Sequence, residues 1–290
     1  MPCHFSLGGG CIYPGTPLHC YIHIKNHAGL TTDHLPANHG FEKANMHNQP
    51  TTYADVAKTI DHSLLQPFLT EAEMAAGCQL ARLYDVASVC IKPAFVPLAR
   101  DILAGSTVAP STTIGFPHGG HRTDIKVFES ERAMDDGATE LDMVVNIGDV
   151  LAGKFDRVKS DIQAVVEAAH ARKALVKVIF ENCYLKPEQI KRLCEICGEV
   201  GADFVKTSTG YGTGGATIDD LKLMRAASPA HVRVKAAGGV RDLDKAVEVI
   251  GLGVSRIGAS ATAAILDEWR KRLGLPPVEP VAGSNLQSSY

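Results

Sequence analysis

From Thr51 onward the chain alternates two hydrophobic patterns. Short runs rich in β-branched and other apolar residues read as buried strands, and longer stretches with helical apolar spacing read as amphipathic helices. Their regular alternation favours parallel strands joined by helical crossovers. The strands are predicted near Thr59 to Leu64, Ala87 to Ile91, Thr112 to Phe116, Glu140 to Asn146, Ala174 to Glu181, Phe204 to Thr207, Val232 to Ala236 and Arg256 to Ala259. Helices are predicted to begin near Thr70, Ala94, Arg122, Lys154, Pro187, Thr217, Leu243 and Ala261. Two of these starts carry a local reason. Thr70 precedes Glu71 and Glu73, a cap with first-turn acids, and Pro187 suits an early helical position.

Eight such units in about 220 residues fit a closed (βα)8 TIM barrel, with an open doubly wound sheet as the alternative. The barrel is predicted over residues 51–275, with a flexible polar tail over 276–290 that ends GSNLQSSY. Residues 1–50 hold seven of the 12 histidines and three of the eight cysteines without a sustained hydrophobic period, and predict a poorly structured extension. Their opening, MPCHFSLGGG, lacks the basic and apolar regions of a secretory signal, so a cytoplasmic location is expected. His19, Cys20, His23 and His27 are metal-ligand types, but no zinc-site spacing accompanies them and no metal is expected.

Composition narrows the function classes. With 45% hydrophobic and 21% charged residues the chain is neither disordered nor fibrous. No apolar run approaches the roughly 18–20 residues of a membrane helix. The net charge of −3 supplies no global field for nucleic acid or an anionic membrane, so an anion must be bound locally. Cys78, Cys90, Cys183, Cys194 and Cys197 lie within ordinary strand and helix patterns and read as reduced thiols.

The unusual feature is charge where a barrel interior should be apolar. Side chains alternate along a strand, so Glu140, Asp142, Val144 and Asn146 share one face, opposite Leu141, Met143 and Val145. By the same alternation Lys177, Lys206 and Lys235 oppose the outward-facing Val176, Val205 and Val234. Buried charges must pair or change protonation state. An Asp142–Lys177 ion pair that fixes strand register is the structural alternative, though such pairs rarely improve on apolar packing.

A lysine attacks a carbonyl only as the neutral amine, against a reference pKa of about 10.4. Two ammonium groups about 6 Å apart, at an effective dielectric of about 20, repel by about 2.8 kcal/mol, or about two pK units. Lys206 and Lys235 on neighbouring strands therefore suit Schiff-base chemistry, with Asp142 able to move protons. Which lysine attacks is left open by the spacing. The turns TSTGYGTGG, AAGGVR and GAS follow the last three strands and offer exposed backbone N–H groups. They predict a phosphate cradle of Gly210, Gly238, Gly239, Gly258 and the Ser260 hydroxyl at the C-terminal mouth.

The strings LDMVVNIG, VKTSTGYGTGGAT, VKAAGGVR and RIGASA, with IDHSLLQP and ASVCIKPAFVPLAR before them, together resemble the deoxyribose-phosphate aldolases over roughly Tyr53 to Leu273. The resemblance implies a cofactor-free class I aldolase of deoxyribose phosphate catabolism. It would cleave 2-deoxy-D-ribose 5-phosphate to acetaldehyde and D-glyceraldehyde 3-phosphate, with Lys206 forming the Schiff base and Asp142 and Lys235 assisting proton transfer. A homodimer and small-molecule partners only, a sugar phosphate and an aldehyde, follow from the same likeness.

The chain departs from that pattern at Ala261, where relatives often carry a second serine, and at Tyr211, where some carry lysine. Asp61, Cys90 and Lys177 are further pocket candidates, with a small core thiol as the other reading of Cys90, and Asp61 with His62 is placed at the end of the first strand, to contact sugar hydroxyls or to make structural hydrogen bonds. Tyr290, which ends the tail, is a candidate for reaching the site, since some relatives also end in tyrosine. Two other readings compete: a Schiff-base barrel aldolase using a different donor, separable by comparing acetaldehyde with dihydroxyacetone phosphate, and a noncatalytic sugar-phosphate sensor.

Overall fold

The computed structural model describes residues 49–279. The extension with His19, Cys20, His23 and His27, and the tail with Tyr290, lie outside the described residues. Eight parallel strands close in chain order: β1 (Ile60–Leu64), β2 (Ser88–Ile91), β3 (Ala109–Ile114), β4 (Glu140–Val144), β5 (Leu175–Ile179), β6 (Phe204–Lys206), β7 (Arg233–Ala237) and β8 (Arg256–Ala259). β8 pairs with β1, so the sheet has no edge and the open-sheet alternative is excluded. The helices are α1 (Tyr53–Ala57), α2 (Glu71–Leu83), α3 (Val96–Leu103), α4 (Thr123–Asp135), α5 (Ile147–Leu151), α6 (Phe155–His170), α7 (Pro187–Val200), α8 (Ile218–Ala227), α9 (Leu243–Gly251) and α10 (Thr262–Arg272).

Half of the ten helices described begin at a capping side chain. Thr70 accepts from the Glu73 amide and receives Glu73 in a reciprocal capping box, and Thr217 and Asp242 cap α8 and α9. Two helices are too short for periodicity to announce. α1 is nucleated by a Thr52–Asp55 capping box, and its Val56 and Ala57 are buried. α5 corrects the expected extent of β4: the strand ends at Val144, and the Asn146 side chain accepts from the Asp149 amide as a helix cap instead of continuing the inward face. β3 begins earlier than expected, because Pro110, which has no N–H to give, is tolerated near the start of the strand.

Alternation then separates two interiors. Outward residues such as Val89, Leu141, Met143, Val176, Val178, Val205 and Val234 join the helices in one apolar layer. Inward, the register sets Asp142 beside Lys177 and Thr113, and Lys206 beside Lys235. The apolar layer supplies the burial that holds the fold. The barrel interior is shared between these charged groups and a few apolar side chains, Val144, Ile179 and Phe204 among them.

Candidate active site

Asp142 is the hub of the interior. Its Oδ1 accepts a hydrogen bond from Lys177 Nζ at 2.8 Å, and its Oδ2 accepts from both Lys206 Nζ and Lys235 Nζ at 2.7 Å. Beneath it Lys177 also contacts Glu140 at 2.6 Å and Asp61 at 3.5 Å. Lys235 makes a close ionic contact with Asp61 Oδ2 at 2.6 Å, without hydrogen-bond alignment. Arg256 closes the floor on Asp61 and on Glu140, the latter through paired contacts of 2.7 and 3.1 Å.

This buried set holds three carboxylates (Asp61, Glu140, Asp142) and four basic groups (Lys177, Lys206, Lys235, Arg256). Were all of them ionised, one positive charge would be left over in a low-dielectric interior. Loss of one proton balances the set. The surroundings of each amine decide which one.

Burial lowers the proton affinity of Lys206, Asp142 opposes that, Lys235 reinforces it, and the net shift is downward. At Lys235 burial also lowers, but Asp142 and Asp61 together overcome it and the net shift is upward. At Lys177, against the same burial, three carboxylates hold the amine well above its ordinary value. Burial would raise Asp142, yet the three lysines keep it well below the usual carboxylate range. Repulsion from Lys235 thus lowers Lys206 as the spacing suggested, but it is secondary to burial. Both amines reach the same carboxylate oxygen, whose attraction offsets part of their mutual repulsion.

A cavity of about 360 Å³ opens above this cluster at the C-terminal ends of the strands. Lys206, Lys235, Asp61 and Cys90 form its floor. The Cys90 thiol lies 4.0 Å from Asp142 Oδ2 and is pushed up by burial and by that carboxylate. Gly210, Gly238, Gly239, Gly258 and Ser260 rim the same cavity, so the three glycine-rich turns do converge. Gly238 and Gly239 adopt φ of +79° and +95°, a left-handed pair that only glycine takes without strain. A Cβ on Gly215 would fall 2.5 Å from the Gly238 carbonyl oxygen, which shows how closely the sixth turn packs on the seventh.

Two pocket candidates, Lys177 and His62, take their structural alternatives instead. Lys177 is fully buried in its carboxylate cage and does not line the cavity. His62 sits inside β1, not at its end, and by strand alternation faces outward, where Nδ1 lies 2.8 Å from the Thr262 hydroxyl under α10. Burial pushes its pKa down to about 4.

The mouth also holds one group that the sequence reading did not single out, Arg241, and one that it did, Tyr211. Arg241 reaches it from AAGGVR. Tyr211 lines it as a phenol, its hydroxyl donating to the Leu65 carbonyl at 2.7 Å and its ring set edge-on to Phe116 at 5.5 Å. α9 caps itself through Asp242, whereas α10, which starts after Ala261, has no side-chain cap and leaves its first N–H groups free for a ligand.

A sequence profile described as DeoC/LacD family aldolase matches residues 39–269. A deoxyribose-phosphate aldolase of Rhodopirellula baltica is 59% identical over 230 residues, covering 79% of this chain and 95% of its own length. One from Caldanaerobacter subterraneus is 48% identical over 219 residues, covering 75% and 95%. Among solved structures, a tetrameric deoxyribose phosphate aldolase from Aeropyrum pernix superposes with a TM-score of 0.71 at 28% identity, covering 79% of this chain and 97% of that one. The profile spans most of the barrel and these relatives are matched almost end to end, so the chain belongs to the DeoC/LacD family of aldolases, carbon–carbon lyases.

Proposed function

We propose that this aldolase reversibly cleaves 2-deoxy-D-ribose 5-phosphate to acetaldehyde and D-glyceraldehyde 3-phosphate through a Schiff base on Lys206, a step of deoxyribose phosphate catabolism. The observation that carries the reading is the placing of two adjacent amines, Lys206 and Lys235, on one cavity floor, each 2.7 Å from the same Asp142 oxygen, with burial lowering the proton affinity of Lys206 and two carboxylates raising that of Lys235. Lys206 is the nucleophile, and Lys235 is the ammonium that gives and recovers protons through Asp142.

In the cleavage direction the neutral Lys206 amine adds to C1 of the open-chain sugar. Protonation of the resulting hydroxyl by the Lys235 ammonium, relayed across Asp142, expels water and leaves an iminium. Asp142 then passes the C3 hydroxyl proton back to Lys235, which gave up its own in the dehydration, and the C2–C3 bond breaks with its electrons passing into the iminium. Glyceraldehyde 3-phosphate departs, and an enamine remains on Lys206. Protonation at C2 and hydrolysis release acetaldehyde and restore the amine.

The phosphate is held at the mouth by the amides of Gly210, Gly238, Gly239 and Gly258, the Ser260 hydroxyl and the open N-terminus of α10. Arg241 supplies there the cation that Tyr211 does not. Borohydride reduction in the presence of deoxyribose 5-phosphate should add the mass of the reduced adduct to the peptide containing Lys206. Adduct on another lysine, or trapping that survives in Lys206→Ala, would reject the assignment. Lys206→Ala should reduce turnover by at least about 10⁴-fold.

A further inference from the structure

We propose that Glu181 is a positioning residue that shapes the turn after Lys206 and so sets affinity for the substrate's phosphate, an inference that rests on the deoxyribose 5-phosphate reading above. Glu181 follows β5 by two residues, and its own side chain is not part of the cavity wall. Two features at this one residue are costly. Its backbone is left-handed, with φ 58° and ψ 61°, which a residue bearing a Cβ seldom adopts. Its carboxyl is also carried inside, with only 2% of the residue exposed.

Both features have one beneficiary. The Glu181 carboxylate accepts from the Thr209 amide at 3.2 Å and from the Thr209 hydroxyl, and that hydroxyl accepts in turn from the Tyr211 amide at 3.0 Å. Backbone hydrogen bonds on either side, Phe180 N–H to Lys206 O at 3.0 Å and Asn182 N–H to Thr207 O at 2.9 Å, keep the two chain segments in step. The turn folds so tightly over the carboxylate that a Cβ on Gly212 would lie 3.0 Å from the Glu181 carboxyl carbon.

Glu181 therefore takes both donors of Thr209, and Thr209 takes the amide of Tyr211. Gly210, between them, is left exposed at φ +90° on the cavity rim. The buried acid imprints the turn that presents Gly210 to an anion, and Lys206 lies only four positions before that glycine. Strain held in place by its surroundings next to a binding cavity is the pattern expected of preorganisation.

The test compares kinetics on deoxyribose 5-phosphate and on unphosphorylated 2-deoxyribose for the whole chain and for Glu181→Gln, Thr209→Val and Thr209→Ser. Glu181→Gln and Thr209→Val should raise KM for the phosphorylated sugar by about ten-fold or more with kcat changed by less than about three-fold, a loss of binding that does not reach the chemical step. Inhibition by inorganic phosphate should weaken in parallel. Thr209→Ser, which keeps the hydroxyl, should stay within about two-fold of the parent enzyme. If kcat/KM falls equally for both sugars, or KM for the phosphorylated one does not move, Glu181 is only a structural residue and the proposal is overturned. A parent enzyme that does not prefer the phosphorylated sugar would instead defeat the substrate reading, and this inference with it. A clear parent preference that the variants retain defeats this inference alone.

Discussion

Lys177 and Lys206 are the same residue on neighbouring strands, both inward and both buried, yet their proton affinities move in opposite directions. The register explains why. Lys177 lies level with Phe204, one inward layer below Lys206, and there it meets Asp61, Glu140 and Asp142. Among the described residues Lys206 meets a single carboxylate, which it shares with Lys235, and its other side is the cavity. Burial acts alike on both amines, so the number of carboxylates within reach decides the outcome. One lysine is thereby fixed as a structural cation, and the other is left able to be a nucleophile.

The strongest way to break this comparison is to delete each amine and measure stability in denaturant. Lys177→Met leaves three buried carboxylates with one partner fewer and should cost about 3–5 kcal/mol, the penalty typical of a broken buried pair. Lys206→Met removes an amine that the cluster does not need charged and should change stability by no more than about 1 kcal/mol, while abolishing turnover. Equal losses would mean that Lys206 is as firmly paired as Lys177, and the division of roles would collapse.

The inward placement of both lysines was legible in the chain, because the strand period of two is fixed by backbone geometry and the intervening valines mark the outer face. The same alternation put Glu140 inside. Its meaning was hidden, since its partner Arg256 is 116 residues away and meets it only once the barrel closes. His62 shows how sensitive the method is to phase: reading it as the last residue of a strand, not an internal one, turned an outward side chain toward the pocket. Glu181 gave no signal, because glutamate is not a residue type that marks left-handed backbone. Glycine does mark it, and the turn at Gly238 and Gly239 was accordingly visible.

A second experiment sharpens the comparison from the side of Lys206. Replacing Lys235 with Met removes the neighbouring ammonium and gives Lys206 the undivided attention of Asp142 Oδ2. Both changes favour the protonated amine, so the acid limb of the kcat/KM profile should move to higher pH by about one to two units. The position of the limb, not the height of the profile, is the relevant readout, because loss of a proton donor lowers the whole curve. An unmoved limb would show that Lys235 contributes nothing to the tuning of Lys206.

The smallest effect tests the cause that leads at Lys206, burial itself. His62 is a useful control because desolvation by burial is the cause of its shift to about 4, and its Nε2 has no hydrogen-bond partner among the described residues. The unfolded chain takes up a proton near its ordinary pKa of about 6.5, whereas the folded chain does not until about 4. Between those values the unfolded state binds more protons, so stability rises with pH: the contribution is complete above about 6.5 and is lost as pH falls toward 4. From pH 7 to pH 5 the loss should be about 2 kcal/mol, and His62→Gln should flatten the curve over that window. Asp61 and Asp142, both lowered by the buried cations, keep their contribution above the ordinary carboxylate value of about 3.9 and lose it only at lower pH, so the two windows separate. If the parent curve is already flat from pH 7 to 5, burial in this barrel does not neutralise a base unaided. The lowered amine of Lys206 would then have to be ascribed to Lys235 alone.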